Sequence, residues 1–165
     1  MENVTIIAAI GKNGELGRGN QLIWKFPGDM QFFRKHTLGK VILMGKNTFL
    51  SLPGVLPKRK HVVLIRNGDD LPSEVVVYSD FDSLLDFIRC YDGEVMVIGG
   101  ERVYQQMLPF TEKMLLTEID DSYLGADSYF PEFSFDEFDK TVLDSNVYDG
   151  VSYKHLVYQR KRLQK

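Results

Sequence analysis

Four places in the chain carry residue types whose chemistry goes beyond their local structural use. The first is Trp24-Lys25-Phe26-Pro27-Gly28-Asp29. Read locally, Asp29 is a helix N-cap and Trp24 a core side chain. Read with Ile7, Met30, Phe33, Leu52, Leu56 and Ile98 as apolar walls, the same carboxylate could bind a flat, amidine-like heterocycle through two parallel hydrogen bonds. The local pattern leaves both readings open. The second place is Val95-Met96-Val97-Ile98-Gly99-Gly100. Alone, Gly-Gly is a permissive turn. With a helical run behind it, free backbone N–H groups make an anion site that a pyrophosphate can approach closely. Gly45-Lys46-Asn47-Thr48 repeats this strand-to-helix arrangement. The fourth place, Pro57-Lys58-Arg59-Lys60-His61, is a dense basic turn whose default reading is a solvated surface. Arg59 differs if it faces a carboxylate, which its planar fork suits.

Other chemistries find no support. His36, His61 and His155 share no metal-ligand spacing with one another or with Cys90. Neither a nucleophile elbow nor a Walker-type loop is present, and Gly14, Gly17 and Gly19 do not make the Rossmann fingerprint. A formal charge of −3 argues against nucleic acid or a membrane as a bulk partner. The single cysteine rules out an internal disulfide and fits a reducing, cytoplasmic setting.

The elements that must position these residues follow from periodicity. The 165 residues fit one domain, 1–165, and the amino-terminal apolar run reads as a buried strand rather than a targeting segment. Short β-branched runs predict strands at 4–10, 41–45, 61–65, 75–78 and 95–98. Helices are expected at 29–38, entered through Pro27 and Gly28, at 80–90 behind the cap Asp80, and at 100–108. Strands alternating with helices imply a mostly parallel sheet covered on both faces. The last third instead reads as strands at 113–120, 138–145 and 151–161, with Asp149-Gly150 closing a hairpin. The fold class is therefore α/β, a mixed, mostly parallel sheet flanked by helices and ending in an antiparallel hairpin. Segments 11–26 and 121–135 read as irregular, and long loops in a small domain are usually functional.

Taken in order, the motifs resemble bacterial dihydrofolate reductase over nearly the whole chain. The resemblance runs from Ile6-Ile7-Ala8-Ala9 through Leu16-Gly17, Asn20, Leu22, Trp24, Pro27 and Asp29 to Met44-Gly45-Lys46-Asn47-Thr48. It continues through Leu56-Pro57, Arg59, Val97-Ile98-Gly99-Gly100, Arg102-Val103-Tyr104, Leu116-Thr117, Asp127 and Phe130-Pro131. It implies hydride transfer from NADPH to dihydrofolate, with antifolate inhibitors as expected ligands; a monomer is the default expectation, because the composition shows no obvious interface. Asp29 would hold the pterin, assisted by Thr117, with Leu22 and Trp24 on the loop closing over the nicotinamide. Ile7, Met30, Phe33, Leu52, Leu56, Ile98 and Tyr104 would wall the substrate, and Arg59 would pair with its glutamate tail. Lys46, Thr48 and Gly100, Glu101, Arg102 and Val103 would hold the cofactor phosphates, and Arg66 would lie near the 2′-phosphate. Ala9, Leu16, Asn20, Gly45, Asn47, Leu64 and Gly99 would complete the cofactor site, with a cis peptide at Gly99–Gly100. Three positions depart from the family pattern: Ile23 replaces a usual proline, Lys25 an asparagine or histidine, and Glu101 a glycine or glutamine. A pyrimidine reductase of riboflavin biosynthesis and a non-catalytic folate- or NADPH-binding module are the competing readings.

Overall fold

The computed structural model describes residues 1–66 and 71–162; the remainder of the expected 1–165 domain lies outside the described residues. In chain order the strands are β1 (Val4–Ile10), β2 (Glu15–Arg18), β3 (Gln21–Leu22), β4 (Val41–Gly45), β5 (Lys60–Leu64) and β6 (Val76–Tyr78). They continue as β7 (Val95–Gly99), β8 (Lys113–Ile119), β9 (Ser128–Tyr129), β10 (Phe138–Tyr148) and β11 (Val151–Arg160). The helices are α1 (Pro27–Thr37), α2 (Lys46–Ser51), α3 (Phe81–Cys90) and α4 (Glu101–Met107). Eight strands form one sheet in the order β10-β11-β8-β1-β7-β4-β5-β6. Pairs from β8 across to β6 are parallel, whereas β11 runs antiparallel to β8 and β10 antiparallel to β11.

Alternation along the strands sorts the apolar residues onto two faces. On one face Ile6, Leu43 and Val97 pack with Leu84, Leu85 and Ile88 of α3 and with Val103, Tyr104 and Met107 of α4. On the other, Ile7, Ile42, Met44 and Met96 pack with Phe49 of α2 and Phe32 and Phe33 of α1. Continuous apolar strands are what a sheet covered on both sides requires. The Asp80 carboxylate caps α3 by accepting from the Ser83 N–H, as its sequence position predicts.

Three expectations need correction. The first helix begins at Pro27 rather than Asp29, its N-cap position is Phe26, and no side chain caps it. Proline at the first helical position brings its own φ and needs no hydrogen-bond partner, so it starts the helix. Asp29 is thus not an N-cap; it lies inside the first turn, where the helix dipole favours a carboxylate. Segments 11–26 and 121–135 are not wholly irregular, because β2, β3 and β9 form a second, three-stranded sheet in the order β3-β2-β9. Finally, β10 extends to Tyr148, directly into the turn at Asp149 and Gly150, both at positive φ.

Candidate active site

A cleft of about 950 Å³ opens at the carboxyl ends of β4, β5 and β7. Ligands of open parallel sheets bind in this position, outside the strand ends. Gly45, Lys46, Asn47 and Thr48, where β4 passes into α2, and Gly99, Gly100, Glu101, Arg102 and Val103, where β7 passes into α4, line the cleft. Leu64 at the end of β5 and Arg66 beyond it, with Ile98 and Tyr104, complete this side. The opposite wall is the small sheet and its turns, which present Leu16, Asn20 and Leu22. Asp127, which the resemblance includes, also lines the cleft, as do Arg18, Gln21, Ser79 and Ser128, none of which was singled out from the sequence.

The backbone at the cleft is specialised. Gly99–Gly100 is a cis peptide, as the resemblance implies, and Gly99 has φ +123°, a region that side chains rarely tolerate. The Asn20 side chain donates to the Asn47 carbonyl at 2.7 Å, tying the small sheet to the start of α2. The Glu101 carboxylate accepts from the Tyr129 N–H at 2.8 Å, so the family departure at this position anchors β9. Ala9 does not line the cleft; it packs with Trp24 against Phe26, Ile119 and Tyr153.

Asp29, on α1, is not itself among the residues that line the cleft; Ile98, which is, belongs to the apolar cluster that also holds Ile7 and Phe33. The Oδ1 of Asp29 accepts from the Thr117 hydroxyl at 2.5 Å and lies 3.1 Å from His155 Nε2. Gly28 permits this approach, because a Cβ there would run into the Tyr153 hydroxyl. Ile7 belongs to the apolar cluster on this face, with Phe33, Leu52, Leu56 and Ile98 packed against it. Met30 is exposed. The Tyr104 hydroxyl is engaged within the protein: it donates to the Ile7 carbonyl at 2.8 Å, and burial pushes its pKa well above the ordinary phenol value.

Trp24 is held by its indole N–H, which donates to Asp121 Oδ2 at 3.0 Å, so its role is to fasten a loop rather than to fill the core. That bond, with one from the Ser122 backbone, keeps the Asp121 carboxyl below its usual range. Glu15 is 1% exposed and accepts from the backbones of Asn13 and Tyr123, joining the same two loops. Burial alone would raise its pKa, but these bonds prevail and lower it.

The basic turn is no solvated surface at Arg59. The Nε of Arg59 is buried without a hydrogen-bond partner among the described residues. Burial first, and then the neighbouring charge of Arg34, lowers the guanidinium pKa. Two cations held close with an orphaned donor form a site that an anion would complete. His61 shapes this turn, with Nε2 accepting from the Leu56 N–H at 3.0 Å and Nδ1 3.2 Å from the Arg59 carbonyl. The sequence reading missed His155, which adjoins Asp29, and Asp144, which bonds the other ring nitrogen of His155. Alternation along β11 places His155 on the buried face with Tyr153, and that was the available signal.

A cleft at the ends of parallel strands, floored by two strand-to-helix turns, is the arrangement of an α/β protein with a ligand site outside the strand ends, here without the Rossmann fingerprint. Comparison with known proteins makes the class specific. Residues 3–161 match the family model described as dihydrofolate reductase. The Haemophilus influenzae dihydrofolate reductase is 38% identical over 136 residues, covering 82% of each chain. The Escherichia coli dihydrofolate reductase type A13 is 33% identical over 159 residues, 96% of this chain and 94% of that one. The structure of the Enterococcus faecalis dihydrofolate reductase complexed with NADP(H) and RAB-propyl superposes with a TM-score of 0.88 at 26% identity, covering 96% of both chains. The chain belongs to the dihydrofolate reductase family, whose members are NADPH-dependent oxidoreductases.

Proposed function

We propose that this protein reduces 7,8-dihydrofolate to tetrahydrofolate with NADPH, with hydride passing to C6 and N5 taking its proton from solvent. The observation that carries the reading is Asp29: a carboxylate with Oδ1 bound by Thr117 and its side chain 19% exposed, beside an apolar wall that suits a flat ring. NADPH, when bound, supplies the hydride. The groups present fit it: Lys46, Arg66 and Arg102 bring positive charge, and the glycines at 99 and 100 let phosphates approach the backbone.

The chain's own residues bind, orient and exclude water. Asp29 receives the pterin 2-amino group and N3 and, by its negative charge, favours a proton on N5 without touching it. Ile7, Phe33, Leu52, Leu56 and Ile98 hold the ring and the benzoyl group, and Arg59 with Arg34 receives the glutamate tail. Leu22 and the loop fastened by Trp24 close the wall over the nicotinamide, which keeps bulk water from the reacting atoms. All of these residues fall within one domain, and we read the protein as a monomer. The activity belongs to the cytoplasm, where its product feeds one-carbon metabolism and thymidylate synthesis. Antifolates would bind against Asp29.

The test is dihydrofolate-dependent oxidation of NADPH by the purified protein, compared with NADH. We expect NADPH to be preferred by at least about tenfold in kcat/KM, since the charge-assisted phosphate contacts are lost with NADH. Arg66→Ala should narrow that preference. Equal use of both cofactors would refute the phosphate assignment, and absent turnover would refute the function.

A further inference from the structure

His155 lies against Asp29, yet the reaction described above makes no use of it. It is 3% exposed on β11, with its ring stacked on Phe32 at 3.9 Å and 8° between the planes. Nε2 is 3.1 Å from Asp29 Oδ1, and Nδ1 is 2.8 Å from Asp144 Oδ1. Asp29 faces the ring from α1, Asp144 from β10, and Tyr153 edge-on from β11 itself. Thr117 is its register partner on β8, and the ring of His36 also packs on Phe32, at 4.3 Å.

The proton inventory of this arrangement has one good solution. A neutral imidazole has one N–H and one lone pair. In either tautomer the lone pair would face a carboxylate oxygen across a hydrogen-bond distance. Only the imidazolium donates to both partners. Burial opposes that cation, but the hydrogen bonds and charges of Asp29 and Asp144 prevail, so its pKa is raised above the ordinary value.

We propose that His155 is a positioning residue for the reaction, an imidazolium held between Asp29 and Asp144 that clamps the Asp29 carboxylate and tunes how strongly the site favours a proton on pterin N5. The inference rests on the folate reading given above. Thr117 and His155 together hold Oδ1, so rotation of the carboxylate breaks two bonds, and Oδ2 remains for the pterin. The same cation offsets part of the negative charge on which a protonated pterin depends. The His155 and N5 protons are therefore coupled through Asp29, and the midpoints observed belong to the set rather than to one group.

Two measurements on the full-length protein test this: NMR titration of the histidine rings, and single-turnover hydride transfer from NADPH to dihydrofolate across pH. His155 should titrate above the roughly 6.5 of a free imidazole, and Asp144→Asn should bring it down. His155→Phe keeps the stack on Phe32 and removes the charge; it should raise the midpoint of the hydride-transfer profile by about one pH unit. Asp144→Asn should move that midpoint the same way by less, since a more distant negative charge is lost as well. A merely structural histidine would lower the rate at every pH and leave the midpoint in place. Titration of His155 at or below the free value, or unmoved midpoints beside normal wild-type turnover, would overturn the proposal alone. Absent wild-type turnover would overturn the functional reading and this inference with it.

Discussion

Asp29→Asn separates binding chemistry from helix structure at one position. Asp29 is not the cap of α1, so the substitution removes no capping bond, and the lost dipole interaction is worth about 0.3–1 kcal/mol. Geometry decides the amide's orientation. Thr117 donates to Oδ1, and His155 presents an N–H to the same atom, so the introduced amide must place its carbonyl oxygen there. Its NH₂ group then points to where the pterin offers hydrogen-bond donors. Two charge-assisted bonds are lost or opposed, at about 1.5–3 kcal/mol each. Together they amount to about 3–6 kcal/mol, or on the order of 10²–10⁴ in kcat/KM. The assay is steady-state NADPH oxidation beside thermal unfolding of the same preparation. We expect a variant that still unfolds cooperatively, less stable by the weakened pairing with His155 as well as by the dipole, while turnover collapses far more steeply. A stable variant with turnover within a few-fold of wild type would refute the pterin assignment and leave Asp29 a first-turn carboxylate with no ligand.

Arg59→Lys should raise KM for dihydrofolate by about tenfold, because a lysine cannot reproduce a planar two-donor contact. KM for NADPH, and turnover of a dihydropterin lacking the glutamate tail, should stay unchanged; a loss on the tail-free substrate would refute the placement. His61 accepts at Nε2 from Leu56, which fits only the neutral ring, and burial lowers its pKa in the folded protein. Its contribution to stability is therefore complete above the unfolded histidine pKa of roughly 6.5 and is lost as pH falls through the lower folded value. His61→Gln, which can accept from Leu56 and donate to Arg59 at any pH, should flatten the acid side of the stability curve in urea unfolding. An unchanged acid limb would show that His61 does not contribute there.

What the sequence made legible was whatever is encoded locally. The parallel strands are unbroken β-branched runs, and 4–10 and 41–45 coincide with β1 and β4. The third helix announces itself through Asp80 and the spacing of Leu84, Leu85 and Ile88. The meeting of Asp29 with Thr117 was legible only through the family resemblance, since no local pattern separates a binding carboxylate from a structural one. The small sheet was illegible for a physical reason. Strands as short as Gln21–Leu22 and Ser128–Tyr129 carry no periodicity, and Gly17 pairs with Ser128, far along the chain. The partnership of Asp144 with His155 was hidden by a bulge. Simple alternation from Val142, which pairs with Leu156, puts Asp144 opposite Lys154; the register shift between Val142 and Asp144 puts it opposite His155 instead.

The small sheet also sets the order in which the molecule comes apart. One wall of the cleft hangs on strands of four, two and two residues, while the opposite wall grows out of the eight-stranded sheet. Local opening costs least where few backbone bonds and little apolar surface must be surrendered. On warming, the β3-β2-β9 wall is the part that loosens first, while β1, β7 and β4 still hold the core. Ligand affinity then fails before secondary structure does, and a bound cofactor, by bridging the two walls, ties the weaker one to the stability of the stronger.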